Sequence, residues 1–253
     1  MKNALLLSLL LSLSASAATY ELADLKALDK DSSWRELVEH LNDVVPSKRD
    51  AEWKAIAERA CTGVLDPSEL KDAATSQRAL DQIEDLMKRY GWLKDSKAFM
   101  TKRADVGLKA LGWTFQNYRH SSSDDPWMDR LKAFVAADAL TIDLPMRAIK
   151  LVNSRLVAVV SFPLVKPALA KGGKAACKDA EVQQTILGAL AEGSWTVEAN
   201  EAAGTCWDEF KPVISAEVLK AETTRTAQLK LCPTLVAKKA LSTEPLKKAC
   251  TFN

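Results

Sequence analysis

The stretch that decides the fold runs from Leu140 to Leu169 and reads LTIDLPMRAIKLVNSRLVAVVSFPLVKPAL. After the first residues of the chain, it is the most apolar part of the sequence. Asp143 and Pro145 are typical of a helix start, and apolar side chains then occupy most of the helical circumference. Because a helix of this kind must be buried, we predict a central apolar helix over residues 143–169.

Two features of this stretch leave alternatives open. Val157, Val159 and Val160 favour a strand over residues 156–161, although the sequence offers no second strand to pair with it. Pro163 would kink or end a helix, so the stretch can also be a pair of helices broken there. Its longest uncharged run is about ten residues, against about 20 for a span of a bilayer. We therefore predict the core of a soluble bundle.

The composition predicts helix along the rest of the chain. Glycine and proline number only nine each, too few for the turns of a β-sandwich. Helix-start signals recur: Ser33 with Glu36 has the spacing of a capping box, Ser47 is placed to cap a second helix, and Asp66-Pro67 combines an N-cap with proline at the first helical position. We predict an all-α fold, either an irregular multi-helix bundle or a helical-hairpin array.

The first residues have the features of a secretory signal peptide. Lys2 precedes an apolar run of about ten residues, and Ala15-Ser16-Ala17 is the small-residue pattern that signal peptidase cuts. We predict a signal peptide over residues 1–17 and a mature chain from Ala18. The protein is then exported, to the periplasm or outside the cell, with no transmembrane segment once the leader is removed.

A glycine pair divides the mature chain. Lys171-Gly172-Gly173-Lys174 is predicted to be a flexible hinge between a helical bundle, residues 18–170, and a disulfide-linked helical region, residues 171–253. The charges are nearly balanced, with 35 basic and 33 acidic residues. Because no basic block is present to neutralise phosphates, nucleic acid is not an expected partner.

The cysteines predict a stapled C-terminal region. Beyond the hinge lie Cys177, Cys206, Cys232 and Cys250, which an exported chain should oxidise where geometry allows. Of the three possible connectivities, we favour Cys232–Cys250, because these residues start and end successive short helices and so meet at one end of a hairpin. Cys177–Cys206 follows by elimination. Cys61 is left as a free thiol, expected to be buried and inert; a redox-active or intermolecular cysteine is the alternative.

No motif for catalysis, cofactor binding or metal binding is found. His40 lies one helical turn from Glu36, but without an HExxH pattern we interpret this as a solvated polar face. His120 lies in a serine- and aspartate-rich loop, and neighbours in sequence do not make a catalytic triad. Most tryptophans fall on apolar helical stripes; Trp195 has the least periodic context and is the first candidate for an exposed one.

These observations favour a non-catalytic, macromolecule-binding protein that is exported or associated with the envelope. The partner is expected to be a protein or another envelope component. Two alternatives remain: a hydrolase that uses carboxylates, which requires two acids with shifted pKa values in a deep pocket, and a carrier of a small ligand such as a lipid, with its cavity near residues 140–169.

Overall fold

The computed structural model describes residues 20–115, 126–220 and 222–251. Throughout these ranges the fold is all-α, without a strand. The predicted signal peptide and the loop that contains His120 lie outside the described residues. The helices are α1 Leu22–Lys30, α2 Trp34–His40, α3 Ala51–Gly63, α4 Ala73–Arg89, α5 Lys97–Thr114, α6 Pro126–Ala136, α7 Leu144–Asn153, α8 Val165–Gly172, α9 Lys174–Lys178, α10 Ala180–Glu192, α11 Thr196–Thr205, α12 Trp207–Leu219, α13 Arg225–Ala237 and α14 Glu244–Cys250.

The chain forms two compact units that meet in sequence between Val64 and Leu65. The first unit contains α1–α3, and the second contains α4–α14. The predicted hinge is a tight turn between α8 and α9, at which Gly173 has φ +50°. The predicted division of the mature chain into residues 18–170 and 171–253 stays a prediction.

The first unit is three helices packed pairwise around Leu25, Leu37 and Ile56. The predicted capping box of α2 is wrong: Ser33 makes no capping hydrogen bond, and Glu36 instead accepts one from the Tyr20 hydroxyl at 2.8 Å. A side-chain donor, the Tyr20 hydroxyl, takes the place of the backbone N–H that the capping box would use.

The start of α3 also differs from the sequence prediction. Residues 46–48 form a 3₁₀ turn, so Ser47 does not cap a helix. The N-cap is Asp50, whose carboxylate accepts a hydrogen bond from the Trp53 backbone N–H at 2.9 Å. An ionised acceptor at a helix N-terminus also gains from the helix dipole, which favours Asp50 over a serine three residues earlier.

Helix α10 is the central element of the second unit. It packs against α7, α8, α9, α11, α12 and α13, and against a 3₁₀ helix over Ala158–Leu164. Val182, Thr185, Ile186 and Leu190 are buried on it. The centre of this unit therefore lies between α10 and the stretch that precedes α8.

The single helix predicted over residues 143–169 is wrong. Helix α7 ends at Asn153, a 3₁₀ helix covers Ala158–Leu164, and α8 follows directly. The break precedes Pro163, at residues where polar side chains compete with the helical hydrogen bonds: the Ser154 hydroxyl donates to the Leu151 carbonyl oxygen at 2.7 Å. The strand alternative is also excluded, since residues 156–161 contain none.

A polar network joins the broken stretch to α10. The Asn153 amide donates to Glu181 Oε2 at 2.9 Å and to Thr185 Oγ1 at 3.1 Å, and its oxygen accepts from the Ser161 hydroxyl at 2.7 Å. Ser161 and Thr185 are fully buried. Both hydroxyls and the Asn153 amide therefore have hydrogen-bond partners. The network fixes the two segments against each other and leaves neither hydroxyl unpaired.

A buried ion pair joins α5 to the chain after α6. Arg103 Nη1 lies 3.5 Å from Asp138 Oδ2, and Arg103 Nη2 donates to the Phe134 carbonyl oxygen at 2.9 Å. Burial lowers the pKa of Arg103 to about 10, although the charge of Asp138 acts in the opposite direction. Removing either charge would therefore leave the other charge buried and uncompensated.

Candidate functional site

The cysteines beyond residue 170 form two disulfides. Cys177 is joined to Cys206 and Cys232 to Cys250, with Cα–Cα distances of 5.1 Å and 5.4 Å. This is the connectivity that the sequence favours, although Cys232 lies inside α13 and does not start a helix as predicted. Cys61 is fully buried in α3, where it is shielded from solvent oxidants.

His40 lies in a small polar cluster of the first unit. Its ring stacks on Tyr20 with 3.7 Å between centroids, and its Nδ1 lies 2.8 Å from Asp43 Oδ2. The hydrogen bond with His40 lowers the pKa of Asp43, while that with Glu36 raises the pKa of Tyr20. Across the described ranges, no group of three or more His, Cys, Asp or Glu side chains is arranged to hold a metal ion.

The candidate site is an apolar groove of about 500 Å³ in the second unit, which we name the Trp195 groove. One wall is α8, the other is α11 together with Trp195 before it, and the 3₁₀ helix before α8 completes it. Phe162, Leu169, Trp195 and Ala202 supply apolar surface. Its volume lies in the range of pockets that bind small molecules.

Trp195 is held in an unusual backbone conformation at this groove. Its φ and ψ are +53° and +36°, the left-handed region, which is uncommon for a bulky residue. The side chain is 42% exposed, whereas Trp53 and Trp127 are buried. Its ring stacks on Phe162 with 5.8 Å between centroids. The conformation therefore presents a large aromatic surface to solvent while one face stays packed.

The turn before α11 explains how Trp195 reaches this position. Gly193 ends α10 with φ +71°, a typical left-handed helix stop. Trp195 then serves as the N-cap of α11, and its carbonyl oxygen accepts a hydrogen bond from Ala199 N at 2.7 Å. Two left-handed residues in a three-residue turn reverse the chain tightly enough to direct the indole toward Phe162.

A disulfide joins the segments that follow the two groove walls, α8 and α11. Cys206 follows α11 directly, and Cys177 lies in α9, which follows α8 after the Gly173 turn. Both sulfurs belong to buried residues. The walls therefore continue into one covalent link, which limits how far α8 and α11 can separate.

The groove lining carries three charged side chains, Lys166, Glu198 and Glu201. All three are exposed to solvent. Such a lining suits recognition of an apolar group that has a charged neighbour.

Sequence reasoning singled out Trp195 but missed the rest of this groove. The sequence prediction places Phe162 and Leu169 in the central apolar helix, and it assigns no role to Glu198 and Glu201. One signal was available: residues 179–210 contain acidic side chains but no lysine or arginine. The pairing of α8 with α11 depends on packing across α10 and has no local sequence signature.

Fold and site together define an all-α, disulfide-stapled protein with an exposed aromatic groove. In the described ranges, no helix is both long enough and apolar enough to cross a membrane. No known protein family, curated protein or solved structure matches this chain.

Proposed function

We propose that this is an exported protein that binds another polypeptide of the envelope or the extracellular space, and that the Trp195 groove is its binding site. The observation that carries the proposal is the exposed Trp195 in a left-handed conformation. Such a conformation costs about 1–2 kcal/mol for a residue other than glycine. Strained backbone conformations cluster at active sites and ligand-binding sites, and of the three non-glycine residues with positive φ in the described ranges, Trp195 is the aromatic one.

The surroundings of Trp195 favour a polypeptide partner. Val197, two residues further, is 68% exposed, so the apolar surface continues beyond the groove. Interface cores are enriched in aromatic residues, and tryptophan is a frequent energetic hot spot. An apolar side chain of the partner would enter between Phe162 and Leu169, and the surrounding chain would cover Trp195 and Val197.

The cysteines support the proposed compartment. Two disulfides persist only where the surroundings are oxidising, as in the periplasm or outside the cell. The signal peptide predicted over residues 1–17 provides the corresponding route. Sequencing of the N-terminus of the exported chain tests this part, and a start at Ala18 is expected.

The binding proposal is tested by site-specific photo-cross-linking in envelope extracts. The mature chain carries a benzoylphenylalanine at Val197, beside the groove, or at Leu229, an exposed apolar residue of α13 outside it. We expect a discrete cross-linked polypeptide from position 197 that is absent from position 229. Trp195→Ala and the groove-filling Ala170→Tyr should each remove it.

Equal cross-linking from both positions, or a product that survives Trp195→Ala, would contradict the proposal. Ala170 is exposed on the α8 wall, so filling the groove from this side leaves the core packing intact. Circular dichroism of both variants provides the control for folding.

A small-ligand carrier is the second candidate, because a volume of about 500 Å³ with a largely apolar lining also suits a lipid chain. Native mass spectrometry of the purified protein distinguishes the two. A bound lipid that Ala170→Tyr displaces would favour the carrier, whereas an unliganded spectrum favours the polypeptide-binding role.

A further inference from the structure

The two walls of the Trp195 groove differ in charge. Glu198 and Glu201 lie three residues apart on α11, so both fall on the face that lines the groove. In the described part of the chain neither carboxylate forms an ion pair, and both are exposed. Lys166 on the α8 wall is the basic residue of the lining.

The segment around α11 is also acidic in sequence, while Lys230 and Lys238 lie against Gly193 and Gly204, near its two ends and outside the groove lining. From residue 179 to residue 210 the chain has no lysine or arginine, although the whole chain is nearly neutral. The acidic residues of this segment are Asp179, Glu181, Glu192, Glu198, Glu201, Asp208 and Glu209. Two glutamates one turn apart also repel each other weakly, so their placement costs stability unless a cation lies between them.

We infer that the Trp195 groove selects a basic segment of its polypeptide partner. This inference rests on the proposed function and names the chemistry of the partner. An apolar side chain packs against Trp195 and Phe162, and a lysine or arginine lies between Glu198 and Glu201. Because α11 rises about 1.5 Å per residue, Glu198 and Glu201 are separated by about 4.5 Å along the helix axis, and Trp195 is the N-cap of the same helix. The partner therefore presents its apolar and basic groups as close neighbours.

The expected selectivity follows from exposed ion pairs. Each such pair contributes about 0.2–1 kcal/mol, and the two together correspond to an affinity ratio of about 2-fold to 30-fold. Lys166 opposes a cationic ligand, so its neutralisation should increase the preference for basic segments. Added salt should weaken the preference, because exposed charges are screened.

The test is selection of random 12-residue peptides displayed on phage against the immobilised mature chain. Four other forms are screened in parallel: Trp195→Ala, the double variant Glu198→Gln with Glu201→Gln, Lys166→Gln, and a matched control, Glu192→Gln with Asp208→Asn. The control removes two charges from the same acidic segment outside the groove.

We expect the wild type and the matched control to enrich peptides that combine apolar residues with lysine or arginine. The Glu198/Glu201 variant should still select apolar residues but no longer enrich lysine or arginine. Lys166→Gln should enrich lysine and arginine more strongly than the wild type does. Synthetic peptides with lysine or glutamate beside the same apolar residues then give the affinity ratio by fluorescence anisotropy.

The outcomes separate the two proposals. Peptides that depend on Trp195 but show no basic preference, or keep it in the Glu198/Glu201 variant, overturn the inference and leave the binding site intact. Enriched peptides that bind Trp195→Ala equally well overturn the proposed site itself, and with it the inference.

Discussion

The packing of α5 on α6 makes a quantitative prediction for Gly107→Ala. In α5 a Cβ at this position would overlap Cζ and Cε2 of Phe134, whereas nonbonded carbons prefer about 3.5–4.0 Å. The ring cannot retreat, because the Arg103 guanidinium carbon lies 3.8 Å from its centroid and is held by Asp138. The side chain of Phe134 therefore has to leave its position or push α6 away.

The magnitude combines two opposing effects. Alanine gains about 1 kcal/mol over glycine inside a helix, while overpacking of a clamped core costs about 1–3 kcal/mol. The fixed ring puts Gly107→Ala at the upper end of that cost, so the free energy of unfolding should fall by about 2 kcal/mol. For a chain of this size the melting temperature should drop by about 4–8 °C.

Gly188→Ala is the matched control, because it is also a helix-interior glycine in the second unit. Its added Cβ would meet only Val159 N at 3.7 Å and Ala158 Cβ at 3.8 Å, which are ordinary contacts. It should raise the free energy of unfolding by about 1 kcal/mol. Denaturant titrations followed by circular dichroism measure both variants.

A second substitution tests the assigned cause. In a Phe134→Leu background the ring atoms that meet the new Cβ are absent, so Gly107→Ala should cost less than in the wild type, by more than about 0.5 kcal/mol. If Gly107→Ala stabilises the protein as much as Gly188→Ala, or if the two substitutions are additive, the argument from the clamped ring is refuted.

Three further predictions concern charges and disulfides. Asp138→Asn leaves the buried charge of Arg103 uncompensated and should cost about 3 kcal/mol in the free energy of unfolding, less when Arg103→Met is present. Cys232→Ser with Cys250→Ser opens a loop with a sequence separation of 18 and should cost about 3 kcal/mol; this loss should persist when the other disulfide is intact. The hydrogen bond with His40 lowers the pKa of Asp43. The contribution of Asp43 to the free energy of unfolding is therefore present at neutral pH and is lost as the pH falls below about 3.9. A stability difference between the wild type and Asp43→Asn that stays constant to pH 2 would contradict this.

Local signals predicted the parts of the fold that depend on neighbouring residues. Asp66 caps the short 3₁₀ helix that begins at Pro67, with its carboxylate accepting from Ser68 N at 2.8 Å, and Cys250 ends α14 as the favoured disulfide pairing assumes. The apolar stretch after residue 140 does lie in the core, because Ile149, Phe162 and Val165 are buried. Capping and periodicity act within one or two turns, which is why the sequence alone reveals them.

The break in the central stretch needed information from another helix. Asn153 ends α7 where its amide can reach Glu181 and Thr185, and both of these partners lie on α10. Apolar periodicity carries no information on a contact with another helix, so the prediction continues the helix past Asn153. Val159, which lies within that predicted helix, is only half-buried as a result.

The groove depends on the same break. In a continuous helix over residues 143–169, α7, Phe162 and α8 would lie along a single helix axis. The 3₁₀ helix instead presents Phe162 to Trp195, while α10 separates the remainder of α7 from α11. A polar residue, Asn153, and a left-handed aromatic one, Trp195, are each unfavourable for a regular helix. Together they create an aromatic surface that neither apolar periodicity nor helix propensity predicts. We therefore expect Asn153→Leu to change the position of Phe162 in the groove as well as the packing of the core.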